Sequence, residues 1–262
     1  MLETVVATRQ IVGGRAYQED RYRVRRVVAA NDRGTPILFA AIADGMGGHT
    51  SGERASELAI EAFWQCFCRQ ASFDEKALTV ALHAANEAIA RDLAAAPERR
   101  GMGTTFLGVV VCNEELRWVS VGDSPLLLYR SGELHRVNAD HSLAPLLDQM
   151  AEDADITREE ALSDPRRSSL REALMGQDLT LIDTGESFPL EEGDVLLVAS
   201  DGVLTLEPPR LAAHLAAVPA SSPEEALAAA FDEIAITGGS AQDNTTAILV
   251  FLRHADGAEG AR

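Results

Sequence analysis

The sequence predicts an α+β fold built around a mainly antiparallel β-sheet. Apolar runs with strand character come in groups before and after two long stretches of helical periodicity, instead of alternating with helices one by one. Two pairs of successive runs are separated by short polar turns, at 113–115 and 130–133, which is typical of hairpins. With 46% hydrophobic and 24% charged residues among 262, the chain has the composition of a globular protein.

Six segments have the composition of β-strands. Each is rich in Val, Ile, Leu or Phe and is bounded by Gly, Asp, Asn or Pro. Several are only a few residues apart, which again favours antiparallel pairing. These segments are residues 37–43, 106–112, 116–121, 126–130, 195–199 and 247–252.

Three helices are predicted from apolar spacing and capping residues. The first covers about residues 52–69, and the second covers about 74–95 after a capping box at 72–75. The third follows the sequence SPEE at 222–225, which combines an N-cap, a first-turn proline and a capping glutamate. The apolar positions of the second helix recur at helical spacing: Leu78, Leu82, Ala85, Ile89 and Leu93.

The organisation of the chain indicates one domain spanning residues 1–262, because no linker, repeat or low-complexity block divides it. Residues 144–177 are polar and contain only short helical stretches, such as 157–162, so we expect an insertion at the surface. Residues 254–262 have nothing to bury and are expected to be frayed.

Charge and cysteine content restrict the class of partner. The chain has 23 Lys and Arg against 41 Asp and Glu, and a net charge of −18 repels nucleic-acid phosphates and anionic lipids. We therefore expect no nucleic-acid and no membrane partner, and cations as natural small ligands. A disulfide framework, a secretory leader and a membrane-spanning run are not predicted. We expect a cytoplasmic protein, and a monomer.

Acidic side chains at the ends of strands are the strongest functional signal. Four predicted strands run directly into or out of an aspartate, and Asp-Gly after a strand is by itself usually only a turn. Six carboxylates can share a site only if cations neutralise them, because unpaired buried carboxylates cost several kcal/mol each. Oxygen ligands without His or Cys favour magnesium or manganese over zinc. The six are Glu19, Asp20, Asp44, Asp123, Asp201 and Asp243.

The glycine-rich run at 44–48 and Arg15 have weaker signals. The run leads into a predicted helix and could cradle an anion or bring a backbone carbonyl to a metal, but it is not a Walker loop. Arg15 has the planar fork that binds phosphate, although an arginine next to Glu19 and Asp20 is more often part of a plain ion pair.

Seven short motifs follow one another along the chain. They are RAYQED at 15–20, DGMGGH at 44–49, GTT at 103–105, VGDS at 121–124, DHS at 140–142, SDG at 200–202 and DN at 243–244. In sequence and in order, these motifs resemble those of metal-dependent Ser/Thr protein phosphatases of the PPM, or type 2C, family, in a form similar to its bacterial members. The resemblance covers about residues 9–252, nearly the whole chain.

Membership of this family implies a four-layer α-β-β-α sandwich with a central, mainly antiparallel β-sandwich. It also implies a two-metal centre at one end of the sandwich and a variable flap, for which the insertion at 144–177 is the candidate. The implied activity is hydrolysis of phosphoserine and phosphothreonine in proteins by direct attack of a metal-activated water, opposing a bacterial Ser/Thr kinase. The implied cofactors are two core ions of Mn²⁺ or Mg²⁺ and a weaker third ion.

The resemblance also implies a role for individual residues. Asp44 would bridge the two ions, and Gly45 would offer its backbone carbonyl to the second. Glu19 would reach the second ion through water, and Asp20 would act there or as a supporting partner. The remaining implied roles are completion of the first ion by Asp201 and Asp243, support of the third ion by Asp123 with Asp201, and binding of the substrate phosphate by Arg15.

Two departures and three alternatives remain. Many relatives have an arginine directly after GDS, whereas this chain has Pro125, so the role of that arginine cannot be transferred. Some eukaryotic members have a histidine, proposed as a general acid, two residues after the bridging aspartate, whereas this chain has Met46 there. A degenerate member would lack a ligand aspartate, and none is lost here. A phosphatase acting in an anti-sigma-factor switch would normally carry an extra regulatory domain. A phosphorylated small metabolite as substrate is not excluded by the motifs.

Overall fold

Two five-stranded sheets packed face to face form the centre of the computed structural model, which describes residues 2–28, 36–47, 50–70 and 72–254. Neighbouring strands are antiparallel in every pair of both sheets that the described residues form. In spatial order, the first sheet contains β1 (Leu2–Ile11), β12 (Thr245–His254), β11 (Val195–Ala199), β8 (Leu126–Arg130) and β9 (Glu133–Arg136). The second contains β10 (Asp183–Pro189), β7 (Glu115–Val121), β6 (Phe106–Cys112), β3 (Pro36–Ala43) and β2 (Arg21–Val28).

Helices cover the outer face of each sheet. The second sheet is covered by α1 (Thr50–Phe67) and α2 (Glu75–Ala95). The first sheet is covered by α5 (Pro208–Ala216) and α6 (Pro223–Gly238). The remaining elements are a short pair of strands, β4 (Gly45–Met46) and β5 (Gly103–Thr104), and two short helices, α3 (Ala144–Glu152) and α4 (Arg158–Ser163).

Three apolar cores hold these four layers together. The middle core lies between the two sheets and contains Ile42 of β3 and Val198 of β11. Phe39 of β3 belongs instead to the core under α1 and α2, where its ring stacks on that of Phe63 with the ring centroids 5.7 Å apart. Phe231 of α6 belongs to the third core, on the first sheet. Because successive strand residues point to opposite faces, β3 must be apolar at every position, which explains its unbroken apolar sequence.

The predicted fold class is confirmed, including the four layers and the mainly antiparallel sandwich. All six predicted strands are present. The short pair β4 and β5 was missed. Of the remaining strands, β9 follows the predicted turn at 130–133, and three further strands were missed: β1, β2 and β10. Each of the three is the edge strand of a sheet, pairs on one side only and is partly exposed, so its sequence lacks a continuous apolar run.

Two predicted details were wrong. The second helix is capped by Asp74, whose side chain accepts a hydrogen bond from the Ala77 amide at 2.9 Å, and Ser72 only donates to Asp74. The predicted capping box at 72–75 therefore does not form. His254, assigned to the frayed tail, is the last residue of β12 and pairs with Leu2. The rest of that tail, residues 255–262, lies outside the described residues.

One predicted cap is confirmed, and a second, at the start of the predicted short helix near 157–162, was not predicted. Ser222 and Glu225 form a reciprocal capping box at the start of α6, and Thr157 and Glu160 form another at the start of α4. Both satisfy backbone amides that the first turn of a helix leaves without partners. In the described part of the chain, no helix is long and apolar enough to cross a membrane.

Candidate metal centre

Four aspartates lie at one end of the sandwich because the strands next to them all terminate there. Asp44 directly follows β3, and Asp201 follows β11 by two residues. Asp123 follows β7 by two residues, and Asp243 precedes β12 by two. Since β3 and β7 both pair antiparallel with β6, they run in the same direction, and their C-terminal ends lie at the same end of the second sheet. The end of β11 likewise lies beside the start of β12 in the first sheet.

A cavity of about 790 Å³ occupies this end of the molecule. Asp20 is the one predicted site residue that does not line it. Asp20 is fully buried, and its negative charge is close enough to raise the pKa of Asp44. The predicted residues that line the cavity are Arg15, Glu19, Asp44, Gly45, Asp123, Asp201 and Asp243.

The backbone of Asp44 is held by two threonines. Thr104 Oγ1 donates to the Asp44 carbonyl at 2.8 Å, and the Thr105 amide donates to the same oxygen at 2.9 Å. The Asp44 amide in turn donates to Thr105 Oγ1 at 3.1 Å. Three hydrogen bonds therefore fix the position from which the Asp44 carboxylate enters the cavity.

Asp20 is held by two hydroxyl groups, one directly after β11 and one near the start of β12. Ser200 Oγ and Thr246 Oγ1 donate to Asp20 Oδ2 at 2.8 and 2.7 Å. Burial raises the pKa of Asp20 to about 6, although both hydroxyl bonds act in the opposite direction. Its second oxygen, Oδ1, is buried without a hydrogen-bond partner among the described residues.

Asn244 anchors the loop that carries Arg15 and Glu19. Its Nδ2 donates to the carbonyls of Val12 and Tyr17 at 2.8 and 3.0 Å, and its Oδ1 accepts from the Glu19 amide at 2.7 Å. Arg15 reaches back across this loop and donates to Asp243 Oδ2 at 2.5 Å. Both side chains of that ion pair are about half exposed, so the guanidinium is accessible from the cavity.

Gly45 stands where no side chain fits. A Cβ atom added there would be 2.1 Å from the Gly52 carbonyl oxygen and 2.7 Å from that of Glu19. Glycine therefore lets the chain after Asp44 pass close to the start of α1 and to the Glu19 loop. Gly48 and His49, which complete the DGMGGH motif, lie outside the described residues.

The carboxylates repel one another strongly. Burial, and then the charges of the neighbouring aspartates, raise the pKa of Asp44 well above its ordinary value. Burial and the charge of Asp243 raise the pKa of Asp201. Burial and the charges of Asp201 and Asp140 raise the pKa of Asp123 to about 7. Such a group of carboxylates is unstable when fully ionised, unless cations compensate its charge.

The donor set fits a hard divalent cation. All the predicted ligands are oxygens, and Glu19 Oε1 and Asp20 Oδ1 are buried without hydrogen-bond partners in the part of the chain that the structure describes. No three His, Cys, Asp or Glu side chains among the described residues already form a cluster that could hold a metal ion. The carboxylates thus share one cavity, and we expect binding of cations to draw them together.

The flap, residues 144–177, forms the other wall of the cavity. Its last part, 168–173, lines the cavity with Met175 and Gln177. Asn86 of α2 fixes this part, because its Nδ2 donates to the Gln177 carbonyl at 2.6 Å and its Oδ1 accepts from the Gly176 amide at 2.8 Å. The amide of Leu174 also donates to the Thr104 carbonyl at 2.9 Å.

Several residues that build the site were not predicted from the sequence. Four of them lie inside the motifs: Thr104, Thr105, Ser200 and Asn244. Their hydroxyl or amide groups, close to a motif glycine or aspartate, could have indicated hydrogen bonds within the site. Thr246 is the second residue of β12 and Asn86 lies in the middle of α2, where no local pattern indicates their contacts.

Comparisons with known proteins agree with this geometry. The family model described as protein phosphatase 2C matches residues 16–234. The serine/threonine protein phosphatase PstP of Mycobacterium tuberculosis is 36% identical over 183 residues, which cover 68% of this chain and 35% of PstP. This chain thus spans about a third of the length of PstP. The serine/threonine phosphatase stp of Listeria monocytogenes is 28% identical over 203 residues, which cover 73% of this chain and 78% of stp.

Solved structures give the same result. The catalytic domain of PstP in complex with two manganese ions aligns with a TM-score of 0.74 and 29% identity, over 97% of this chain and 100% of the other. The family model covers most of the chain. The chain belongs to the protein phosphatase 2C family.

Proposed function

We propose that this protein is a metal-dependent protein serine/threonine phosphatase, with residues 1–262 acting as one catalytic domain. The observation that carries the proposal is the convergence of Asp44, Asp123, Asp201 and Asp243 in one cavity beside Arg15. The two manganese ions in the catalytic domain of PstP support Mn²⁺ or Mg²⁺ as the cofactor.

The proposed ligands follow the order of the motifs. Asp44 would hold both core ions, Asp201 and Asp243 would complete the first, and the Gly45 carbonyl would serve the second. Glu19 would act on the second ion through water, and Asp20 would support this side of the site from its buried position. Asp123 and Asp201 would hold a weaker third ion. When bound, the ion pair supplies a water that ionises near neutral pH and can attack phosphorus directly.

The side chains of the protein have three tasks in this reaction. The hydrogen bond from Thr104 to the Asp44 backbone and the one from Ser200 to the Asp20 carboxylate keep these residues in place, so that little reorganisation is needed when charge develops. Arg15 exchanges part of its ion pair with Asp243 for the substrate phosphate, which it can hold with two parallel N–H bonds. The flap segment 168–173 contacts the polypeptide on either side of the phosphorylated residue.

We also propose the cellular setting that the family resemblance implies. The protein removes phosphate from targets of a Ser/Thr kinase, in the cytoplasm and as a monomer. The net charge of −18 supports the absence of nucleic-acid and anionic-lipid partners. Size-exclusion chromatography with light scattering tests the monomer, and phosphoproteomics of a strain lacking the gene tests the substrates.

Hydrolysis of a phosphothreonine peptide is the experiment that tests the activity. We expect turnover with Mn²⁺ or Mg²⁺ and none with chelator. A phosphotyrosine peptide and a phosphorylated sugar serve as matched substrates, and we expect both to be poorer by kcat/KM. Equal turnover in the presence of chelator would contradict the metal-dependent reaction. A clear preference for the phosphorylated sugar would replace the protein substrate by a small metabolite.

A further inference from the structure

The loop that carries Asp123 has an unusual backbone conformation. Gly122 has a φ of +102°, and a Cβ atom there would be 2.7 Å from Thr105. Pro125 has no amide proton, so it cannot donate a hydrogen bond within the loop. The shape of residues 122–125 must therefore be maintained by partners outside it.

Most of those partners come from one segment, residues 136–141, in addition to Thr105 Oγ1, 2.7 Å from Ser124 Oγ, and the Ala199 amide, which donates to the Pro125 carbonyl at 3.1 Å. The His141 amide donates to the Gly122 carbonyl at 3.1 Å, and the Gly122 amide donates to His141 Nδ1 at 3.2 Å. Asn138 Nδ2 donates to the Ser124 carbonyl at 3.0 Å, and Asn138 Oδ1 accepts from the Leu126 amide at 2.8 Å. His141 and Asn138 are buried, so these bonds are shielded from water.

Arg136, the last residue of β9, contacts Asp123 itself. One terminal nitrogen donates to the Asp123 carbonyl at 2.7 Å, and the other donates to Asp140 Oδ2 at 2.9 Å. Asp140 is fixed in turn, because its Oδ1 accepts from the Ser142 amide at 2.8 Å. The guanidinium thus links the backbone of Asp123 to a second, firmly held carboxylate.

The charge of Arg136 also acts on the Asp123 carboxylate. Asp201 and Asp140 face Asp123 with negative charge, and Arg136 is the cation that opposes them. Arg136 Nε is buried without an acceptor among the described residues, which costs folding free energy.

We propose that Arg136 is the positioning residue for Asp123 and thereby sets the affinity of the cation that Asp123 and Asp201 hold. Arg136 fixes the peptide unit of Asp123 and links it to the carboxylate of Asp140, so that Asp123 cannot move away from Asp140. The inference rests on the proposed function, because it takes Asp123 as a ligand of the third ion.

Calorimetric titration of the metal-free protein with Mn²⁺ tests this role without any turnover. In Arg136→Met, we expect the weakest binding event to lose on the order of tenfold in affinity, the size of one lost hydrogen bond to a charged group. The tighter events should be unchanged. Arg210→Met, which removes an arginine paired with Glu233 on the distant α5–α6 face, is the matched control and should leave the whole isotherm unchanged.

A double-mutant cycle shows whether Arg136 acts through Asp123. We expect Asp123→Asn to weaken the same event, and we expect Arg136→Met to add nothing further in that background. Arg136→Lys should lose part of the affinity, since an ammonium group cannot make both bonds at once. At limiting Mn²⁺, the turnover of Arg136→Met should recover when more Mn²⁺ is added.

The outcomes separate this inference from the proposed function. An unchanged isotherm in Arg136→Met, or additive losses in the double variant, would overturn the role of Arg136 alone. If Arg136→Met does not fold, a wild-type isotherm for Arg136→Lys would overturn it equally. Absence of all Mn²⁺ binding in the wild-type protein would contradict the proposed function. A weakest event that Asp123→Asn leaves intact would overturn the placement of Asp123, and the role of Arg136 with it.

Discussion

The two walls of the cavity are built differently. On the sandwich side, Asp20 and Asp44 are held by buried hydroxyl and amide groups from neighbouring strands and loops. On the flap side, the lining segment 168–173 follows two short helices, α3 and α4, which each have a single buried residue, Leu147 and Ala161. Their polar contacts are ion pairs at the surface, such as that of Arg158 with Asp148 at 2.9 Å.

The difference indicates a division of labour. Buried, fully bonded groups hold reacting atoms in place, whereas a segment with few buried apolar contacts opens at low free-energy cost. We therefore expect the sandwich wall to determine the chemical step and the flap to determine which phosphoproteins enter. Substitutions on the two walls should accordingly change different kinetic constants.

The largest effect is expected on the sandwich wall. Asp44→Asn and Asp201→Asn should each lower kcat by about a thousandfold or more, because each removes several kcal/mol of charge stabilisation by the ion pair. Asp232→Asn, at an exposed position of α6, is the control and should be fully active. Steady-state kinetics at saturating Mn²⁺ checks this, and near-normal rates for both site variants would end the two-ion account.

Cation binding should also stabilise the sandwich wall. Mn²⁺ at about a hundredfold excess over Kd should add about 2–3 kcal/mol to the free energy of unfolding, and chelator should remove it. High monovalent salt should restore little of that loss, because it screens partly buried charges poorly. Thermal melts with chelator, with Mn²⁺ and with salt measure the effect. Identical melting curves with chelator and Mn²⁺ would show that the carboxylates do not bind cations together.

Substitution of Asn86, which holds the end of the flap, should affect substrate binding and leave cation binding intact. Asn86→Ala removes both bonds to residues 176–177, which should lower the free energy of unfolding by about 1–3 kcal/mol. Limited proteolysis within 158–171 should become faster, and KM should rise, while Mn²⁺ affinity stays unchanged. A large loss of Mn²⁺ affinity in this variant would contradict the division between the two walls.

Arg15 should affect substrate binding more than chemistry. We expect Arg15→Ala to raise KM by about tenfold with a smaller loss of kcat, as for a contact present in both the ground state and the transition state. Arg15→Lys should restore little, because a single ammonium lacks the planar fork. Unchanged kinetics would reduce Arg15 to an ion pair with Asp243.

The smallest effect is a dependence of stability on pH. The pKa of Asp20 is raised to about 6 and that of Asp123 to about 7, from 3.8. The metal-free folded state then binds more protons than the unfolded state between about pH 4 and 7, so its stability should fall as pH rises through that window.

Thermal melts in chelator should show this slope, and saturating Mn²⁺ should flatten it. Asp123→Asn should also reduce the slope, which separates the site from the general effect of net charge. A metal-free protein that is as stable at pH 8 as at pH 5.5 would contradict the repulsion described for the site.

The sequence was most informative where one strand is buried on both faces. β3 and β6 are apolar at nearly every position, so that their limits could be predicted closely. β2 was missed because its arginines look like a solvated loop. In the structure Arg21 and Arg23 pair with Glu53 and Glu61 of α1, a tertiary contact that no local pattern indicates.

Some residues of the site could likewise be predicted from the sequence and others could not. The carboxylates were predictable because each stands directly beside a strand end, where turn residues are expected but four aspartates are not. Thr246 and Asn86 bond to residues that are far away in the sequence, and Arg136 of β9 bonds to the loop after β7. Only the packing of the sheets brings these three residues to their partners. The cap at Asp74 was misplaced because Ser72 and Asp74 are both good N-cap residues.

Equilibrium binding of Mn²⁺ to the wild-type protein and to Asp44→Asn tests the central claim most directly, since it needs neither substrate nor turnover. We predict two tightly bound ions in the wild-type protein, as in the catalytic domain of PstP, and loss of at least one of them in Asp44→Asn. Tight binding that is the same in both proteins would contradict the account, because the ions would then lie elsewhere than between the strand ends.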